Sequence, residues 1–307
     1  FFLHIYIMEK NNKDDKLEQA KQSKDTDTSK GPEFNSNVDL NVYTIKKDDD
    51  KPTWDREVPI PLPGSKGECF VMTLVGPRSS GKSVVINNLI LRDEMLRGLF
   101  ERILIISPTI HSDSSSRFLI AEAGKENVYE AYAETIIQEL IDSVKDKKKH
   151  ERSMKLIILD DVIGSIPKYN SLVYNLTSKA RHWSISMIIS TQNLRELPPV
   201  CRNNTTNWAF FRSGNLKEVE KMMEEMGSLG SKENCYNLYS ACVEEPHKFM
   251  YVDADFNVYK CFTEHVWSKY TEDGRYNADF VGGGNSLEQE KKISANGITE
   301  NGDSNSK

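Results

Sequence analysis

Residues 75–83, VGPRSSGKS, follow the apolar run CFVMTL and lead into KSVVINNLILRDEMLRG, in which apolar residues recur at helical spacing. Strand, glycine loop and helix in that order are the context a G-x-x-x-x-G-K-S phosphate loop requires. This one stretch constrains the fold more than any other. Gly76 and Gly81 let the backbone curl so that successive N–H groups point inward, a nest for phosphate oxygens at a helix N-terminus. Gly76, Pro77, Arg78, Ser79, Ser80, Gly81, Lys82 and Ser83 are therefore the candidate nucleotide cradle. Lys82 is placed to reach the β- and γ-phosphates, and the Ser83 hydroxyl to ligate the magnesium that bridges them.

The elements after the loop alternate. The spacing predicts a helix over 82–98 with Gly98 as its stop, and RILIISPT (102–109) reads as a strand buried on both faces. AETIIQELIDSVKD predicts a second helix ending in the basic loop KKKHER, before another buried strand, KLIILDDV (155–162). SLVYNLTSKA (171–180) suits a helix, SISMIIST (184–191) a fourth strand and NWAFFRS (207–213) a fifth. LKEVEKMMEEMG and SKENCYNLYSAC read as helices, and HKFMYVDADFNVYKCF as a closing hairpin turning near Asp255 and Asn257. Strands alternating with helices imply an α/β fold, a mostly parallel sheet flanked by helices with right-handed crossovers.

Acid at the carboxyl end of an apolar strand is what a nucleotide hydrolase needs on the far side of its metal, because ligands gather at that sheet edge. Asp160 then fits the metal role, and Asp161 the orientation and deprotonation of a water. Two aspartates after a strand can also cap a turn. Gln192, ending an otherwise apolar strand, can sense the γ-phosphate or hold the water, or merely satisfy its loop. Arg181 and Arg202 are candidates for stabilising charge on the transferred phosphoryl group, with Arg212 third; surface ion pairs account equally well for arginines of this kind.

The ends of the 307-residue chain differ from its middle. Residues 9–50 and 272–307 are polar, charged and poor in large apolar residues, which predicts disordered tails at 1–50 and 272–307 around an ATPase domain at 51–271. The net charge of -6 resides in those ends, and the basic region that follows the phosphate loop fits either a polyanionic partner or a solvated surface. Five cysteines without a C-x-x-C pair point to a reducing compartment rather than a zinc module or disulfide framework. The opening FFLHIYI, ahead of Met8, is too short to span a bilayer and lacks the basic start of a secretion signal; we expect it to be sequence upstream of the true start. No other run reaches membrane length, so a soluble protein is expected.

VGPRSSGKS, LIILDDV and the block ARHWSISMIISTQNLRELPPVCRNNTTNWAFFR together resemble the genome-packaging ATPases of large DNA viruses, including the poxvirus type, and those of virophages and polinton-like elements, within the FtsK-HerA superfamily. The resemblance covers about residues 65–215 and is most specific in the STQ-to-FR block. It implies a P-loop NTPase with an additional-strand, RecA-like core, in which the catalytic strand lies between the phosphate-loop strand and its partner. It also implies a homo-oligomeric ring threaded by double-stranded DNA, a capsid or portal partner, no membrane, and a place in host cytoplasm or nucleus or with the virion. By motif it gives Lys82 and Ser83 to ATP and Mg2+, Asp160 and Asp161 to metal and water activation, and Gln192 to γ-phosphate sensing. A trans-acting arginine best matches Arg181, then Arg202. Lys168 and the run Lys147, Lys148, Lys149 are candidate DNA contacts, although a solvated charged loop is the commoner origin of such a run. A nucleoside kinase-like phosphotransferase shares the phosphate loop and is the alternative, but the sequence shows neither an acceptor pocket nor an arginine-rich lid.

Overall fold

A computed structural model describes residues 57–280 apart from 113, 149–150 and 168–170, so the predicted tail at 1–50, Lys149, Lys168 and most of the C-terminal tail lie outside the described residues. Among the described residues, nine strands form one sheet. They are β1 (Val71–Val75), β2 (Arg102–Ile106), β3 (Val128–Tyr129), β4 (Lys155–Asp160), β5 (Ile185–Thr191), β6 (Asn207–Phe211), β7 (Phe249–Val252), β8 (Asn257–Lys260) and β9 (Glu264–Ser268). Their order is β3-β2-β4-β5-β1-β6-β7-β8-β9. The first six in that order pair in parallel, and β7, β8 and β9 extend the sheet antiparallel. This is a P-loop NTPase core: β5, the additional strand, runs between the phosphate-loop strand β1 and the aspartate strand β4.

The helices are α1 (Lys82–Leu91), α2 (Arg117–Ala123), α3 (Glu134–Lys145), α4 (Leu172–Trp183), α5 (Pro199–Asn204), α6 (Leu216–Glu225) and α7 (Lys232–Cys242). Period-2 alternation sorts each central strand between two cores. Val71, Val75, Ile157, Leu159, Met187 and Ile189 pack with α3, α4, α6 and α7, whereas Met72, Leu74, Leu156, Ile158 and Ile188 pack with α1 and α2. Both faces of β1 and β5 are buried, which is why apolar residues stand on both faces and the polar ones they carry, Thr73, Ser186, Ser190 and Thr191, are small and buried too.

Three departures from the sequence pattern have local causes. α1 stops at Leu91, not at Gly98: Arg92 turns extended, and the chain folds back so that Leu96 N–H donates to Leu89 O at 2.8 Å and its side chain enters the core. The apolar spacing therefore continues past the end of the helix. β3, α2, α5 and β9 had no clear pattern, the first three being only two, seven and six residues long and β9 a polar edge strand. Residues 272–280, assigned by composition to the tail, are bonded to the domain: Trp267 Nε1 donates to Ala278 O at 2.9 Å, Ser231 Oγ to Asp279 Oδ2 at 2.7 Å, and Phe280 N to Asn234 Oδ1 at 2.5 Å.

Candidate nucleotide-hydrolysis site

The phosphate loop leaves β1 at Gly76, whose N–H donates to Thr191 O at 3.2 Å, so the loop and the end of β5 are tied together. A Cβ at Gly76 would lie 2.6 Å from Phe211 Cβ and 2.8 Å from Ser80 Oγ; the buried Phe211 ring is the wedge beneath the loop. Ser79 (φ 62°) and Gly81 (φ 108°) both take left-handed backbone, the geometry that turns N–H groups into a nest at the start of α1. No side chain caps that helix end.

Lys82 opens α1 and is buried, its Nζ donating to Gly76 O at 2.8 Å and Pro77 O at 3.1 Å. Burial pushes its pKa down, opposed by the negative charges of Asp161 and Asp160. The charges named from the two motifs are thus within electrostatic reach of one another.

Asp160 ends β4 and accepts from Ser107 Oγ at 3.3 Å, while its Oδ1 is buried without a hydrogen-bond partner. Burial raises its pKa; the Ser190 hydroxyl, the Lys82 ammonium and the Ser107 hydroxyl oppose the rise, and the Asp161 charge adds to it. Ser83 and Asp160 line one small cavity. A hydroxyl and a carboxylate, the latter with an unused buried oxygen, fit the hard oxygen-donor set that Mg2+ prefers. Asp161 follows with φ 51°, a left-handed conformation that aspartate tolerates better than most side chains. Its exposed carboxylate Oδ2 accepts from Gln192 Nε2 at 2.9 Å.

The turn after Gln192 is fixed from beneath. Leu194 N donates to the buried carboxylate of Glu218 on α6 at 2.5 Å, and Asn193 Oδ1 accepts from Arg195 N at 3.0 Å. Among the described residues the structure therefore gathers the loop, Lys82, Ser83, Asp160, Asp161 and Gln192 at the carboxyl ends of β1, β4 and β5.

The basic candidates separate. Arg181 lies in the last turn of α4, just before β5, and so at the opposite sheet edge; it is 66% exposed and 3.5 Å from Glu68 Oε2. Lys147 and Lys148 precede β4 and occupy that same edge. Arg202 on α5 is partly buried, bonded through Nη1 to Glu225 on α6. Arg212, by contrast, directly follows β6 beside the phosphate loop, with Nη1 3.4 Å from Glu244 O.

Ser107 and Phe211 escaped the sequence reading. Ser107 ends the apolar run RILIIS just as Gln192 ends its own strand, so the same signal was present; Phe211 looked like any core aromatic.

The sequence profile described as Poxvirus A32 protein matches residues 65–253, a span that contains every candidate named above. The chain belongs to this family. Relatives of this A32-family chain include the uncharacterized protein 075L of Invertebrate iridescent virus 6, 24% identical over 199 residues, covering 64% of this chain and 75% of that protein. The DNA packaging protein OPG160 of Monkeypox virus is 24% identical over 173 residues, covering 55% of this chain and 56% of that protein. Among solved structures, the genome packaging NTPase B204 of Sulfolobus turreted icosahedral virus 2, in complex with AMP, aligns at 16% identity with a TM-score of 0.47, covering 63% of this chain and 96% of that one. The A32-family chain thus spans only a little over half of the monkeypox relative. No helix among its described residues is long and apolar enough to cross a membrane.

Proposed function

We propose that this chain is an ATPase that moves double-stranded DNA into a viral capsid. The observation that carries the hydrolytic half is the Asp161–Gln192 hydrogen bond, a carboxylate and an amide joined at adjacent strand ends beside the phosphate loop. An exposed carboxylate steadied by an amide suits the orientation and deprotonation of a water. The DNA half is supported by family membership and by a relative named as a DNA packaging protein.

The phosphate-loop N–H groups and Lys82 bind and orient the triphosphate, and Ser83 and Asp160 would hold Mg2+. When bound, that ion neutralises charge shared by the β- and γ-phosphates. Asp161 takes the proton of the water aligned by Gln192. Arg181 lies across the sheet from its own phosphate loop, so in this reading it serves a neighbouring copy within a homo-oligomeric ring. Lysines on that edge, with Lys168, supply sequence-independent phosphate contacts. A capsid or portal partner and a site of action in host cytoplasm or nucleus, or with the virion, complete the proposal.

Steady-state ATP hydrolysis with and without double-stranded DNA, for wild type, Lys82→Ala and Asp161→Asn, tests it. Several-fold stimulation that both variants lose and that fades with salt is expected. Turnover indifferent to DNA but dependent on a small-molecule acceptor would replace the motor with a phosphotransferase.

A further inference from the structure

The sheet order gives the nucleotide a direction. Asp160, Asp161 and Gln192 sit at the ends of β4 and β5, on one side of the phosphate-loop strand β1; β6 and β7 lie on its other side. A triphosphate whose terminal phosphate faces Asp161 and Gln192 must send its nucleoside the opposite way, over the edge of β6 and β7. What stands there is the turn at residues 244–248, which leads into β7.

That turn is anchored. Phe211 pairs with Phe249 across β6 and β7, and their rings lie 5.0 Å apart in the core. Glu244 O accepts from Arg212 Nη1 at 3.4 Å, Glu245 O from Lys248 N at 3.3 Å, and Glu245 Oε1 from Lys260 Nζ at 2.8 Å. Held this way, His247 has φ 63°, left-handed backbone that histidine, like asparagine and aspartate, adopts more readily than most side chains. Its exposed side chain comes against the last glycine of the phosphate loop: a Cβ on Gly81 would lie 3.9 Å from both Cβ and Nδ1 of His247. An exposed polar ring set against the last glycine of a phosphate loop is open to a nucleotide that the loop holds.

We propose that residues 244–248 form the nucleoside wall of the site, with the His247 imidazole contacting the ribose and base of the bound nucleotide. The proposal rests on the phosphate-loop assignment and adds a binding residue that no sequence motif indicates. An imidazole offers both a flat face for a base and a nitrogen for a ribose hydroxyl.

The test is calorimetric binding of ATP and of inorganic tripolyphosphate, each with Mg2+, to the full chain, to His247→Gly and to Lys82→Ala. Glycine suits the positive φ, so His247→Gly removes the side chain without forcing the turn to move. Lys82→Ala should lose both ligands. His247→Gly should bind ATP at least fivefold more weakly while holding tripolyphosphate as the wild type does. Unchanged ATP affinity, or an equal loss for both ligands, would overturn the nucleoside contact while leaving the phosphate loop standing. Failure of the wild-type chain to bind either ligand, or wild-type binding by Lys82→Ala, would instead remove the phosphate-loop assignment and this inference with it.

Discussion

Gln192 Nε2 donates to Asp161 Oδ2 at 2.9 Å, joining the ends of two neighbouring parallel strands whose residues stand 31 positions apart in the chain. Neither side chain is buried, so the bond is held by the backbone around it: Asp161 N donates to Ser190 O at 3.1 Å, and Glu218 clamps the turn that follows Gln192. An acceptor pinned by a donor on a separate strand is oriented before any ligand arrives.

Asp161→Asn keeps an oxygen that can accept from Gln192, so the geometry should survive while the base is lost. We expect kcat to fall by about 10²–10⁴ with little change in ATP affinity, and Gln192→Ala to fall between wild type and Asp161→Asn. Single-turnover hydrolysis alongside equilibrium binding checks this. A parallel collapse of affinity would mean that Asp161 acts on binding instead.

Burial raises the Asp160 pKa, so its ionised form costs folding stability at pH above that value, and the cost is relieved as pH falls through it. A neutral amide removes that cost at neutral pH. Asp160→Asn should therefore melt no lower than the wild type while losing Mg2+-dependent hydrolysis. Thermal melts and ATPase assays read both properties, and a markedly lower melting temperature would contradict the electrostatic account.

Gly76→Ala places a methyl 2.6 Å from Phe211 Cβ, a contact neither the buried ring nor the loop can accept unmoved. Overpacking of this kind costs about 1–3 kcal/mol. We expect a lower midpoint in denaturant unfolding and weakened ATP binding together. Wild-type values of both would show that the loop has slack which the static packing does not reveal.

Arg181 and Lys82 occupy opposite edges of one sheet, so a ring using both must join the Arg181 of one copy to the phosphate loop of another. Arg181→Ala and Lys82→Ala should each be nearly inactive alone, and mixing them should restore part of the ATPase activity. The Arg181 pair with Glu68 is solvent-exposed and worth at most about 1 kcal/mol, so the single variant should remain folded. A mixture no more active than its components would exclude the trans role.

The central sheet was legible because parallel strands buried on both faces leave runs dominated by apolar residues, as VMTLV, RILII, KLIILD and ISMIIST do. The hairpin of β7 and β8 was legible for a different reason, a polar turn between two apolar segments. β3, α2 and α5 are too short to show a period, and nothing local told α1 to end at Leu91 when Leu96 was still to be buried.

Of the site, the sequence alone determined the chemistry available: the glycine loop, Lys82 and Ser83 are adjacent in the chain, and Asp160, Asp161 and Gln192 each end an apolar run. Tertiary structure decided which of these groups meet. Strand order is set by long-range packing, so only the folded sheet puts β5 between β1 and β4, bonds Gln192 to Asp161, and sends Arg181 to the far edge. The same sheet brings Phe211 under Gly76 and His247 against Gly81 across more than a hundred residues, contacts that no periodicity or spacing in the chain can encode.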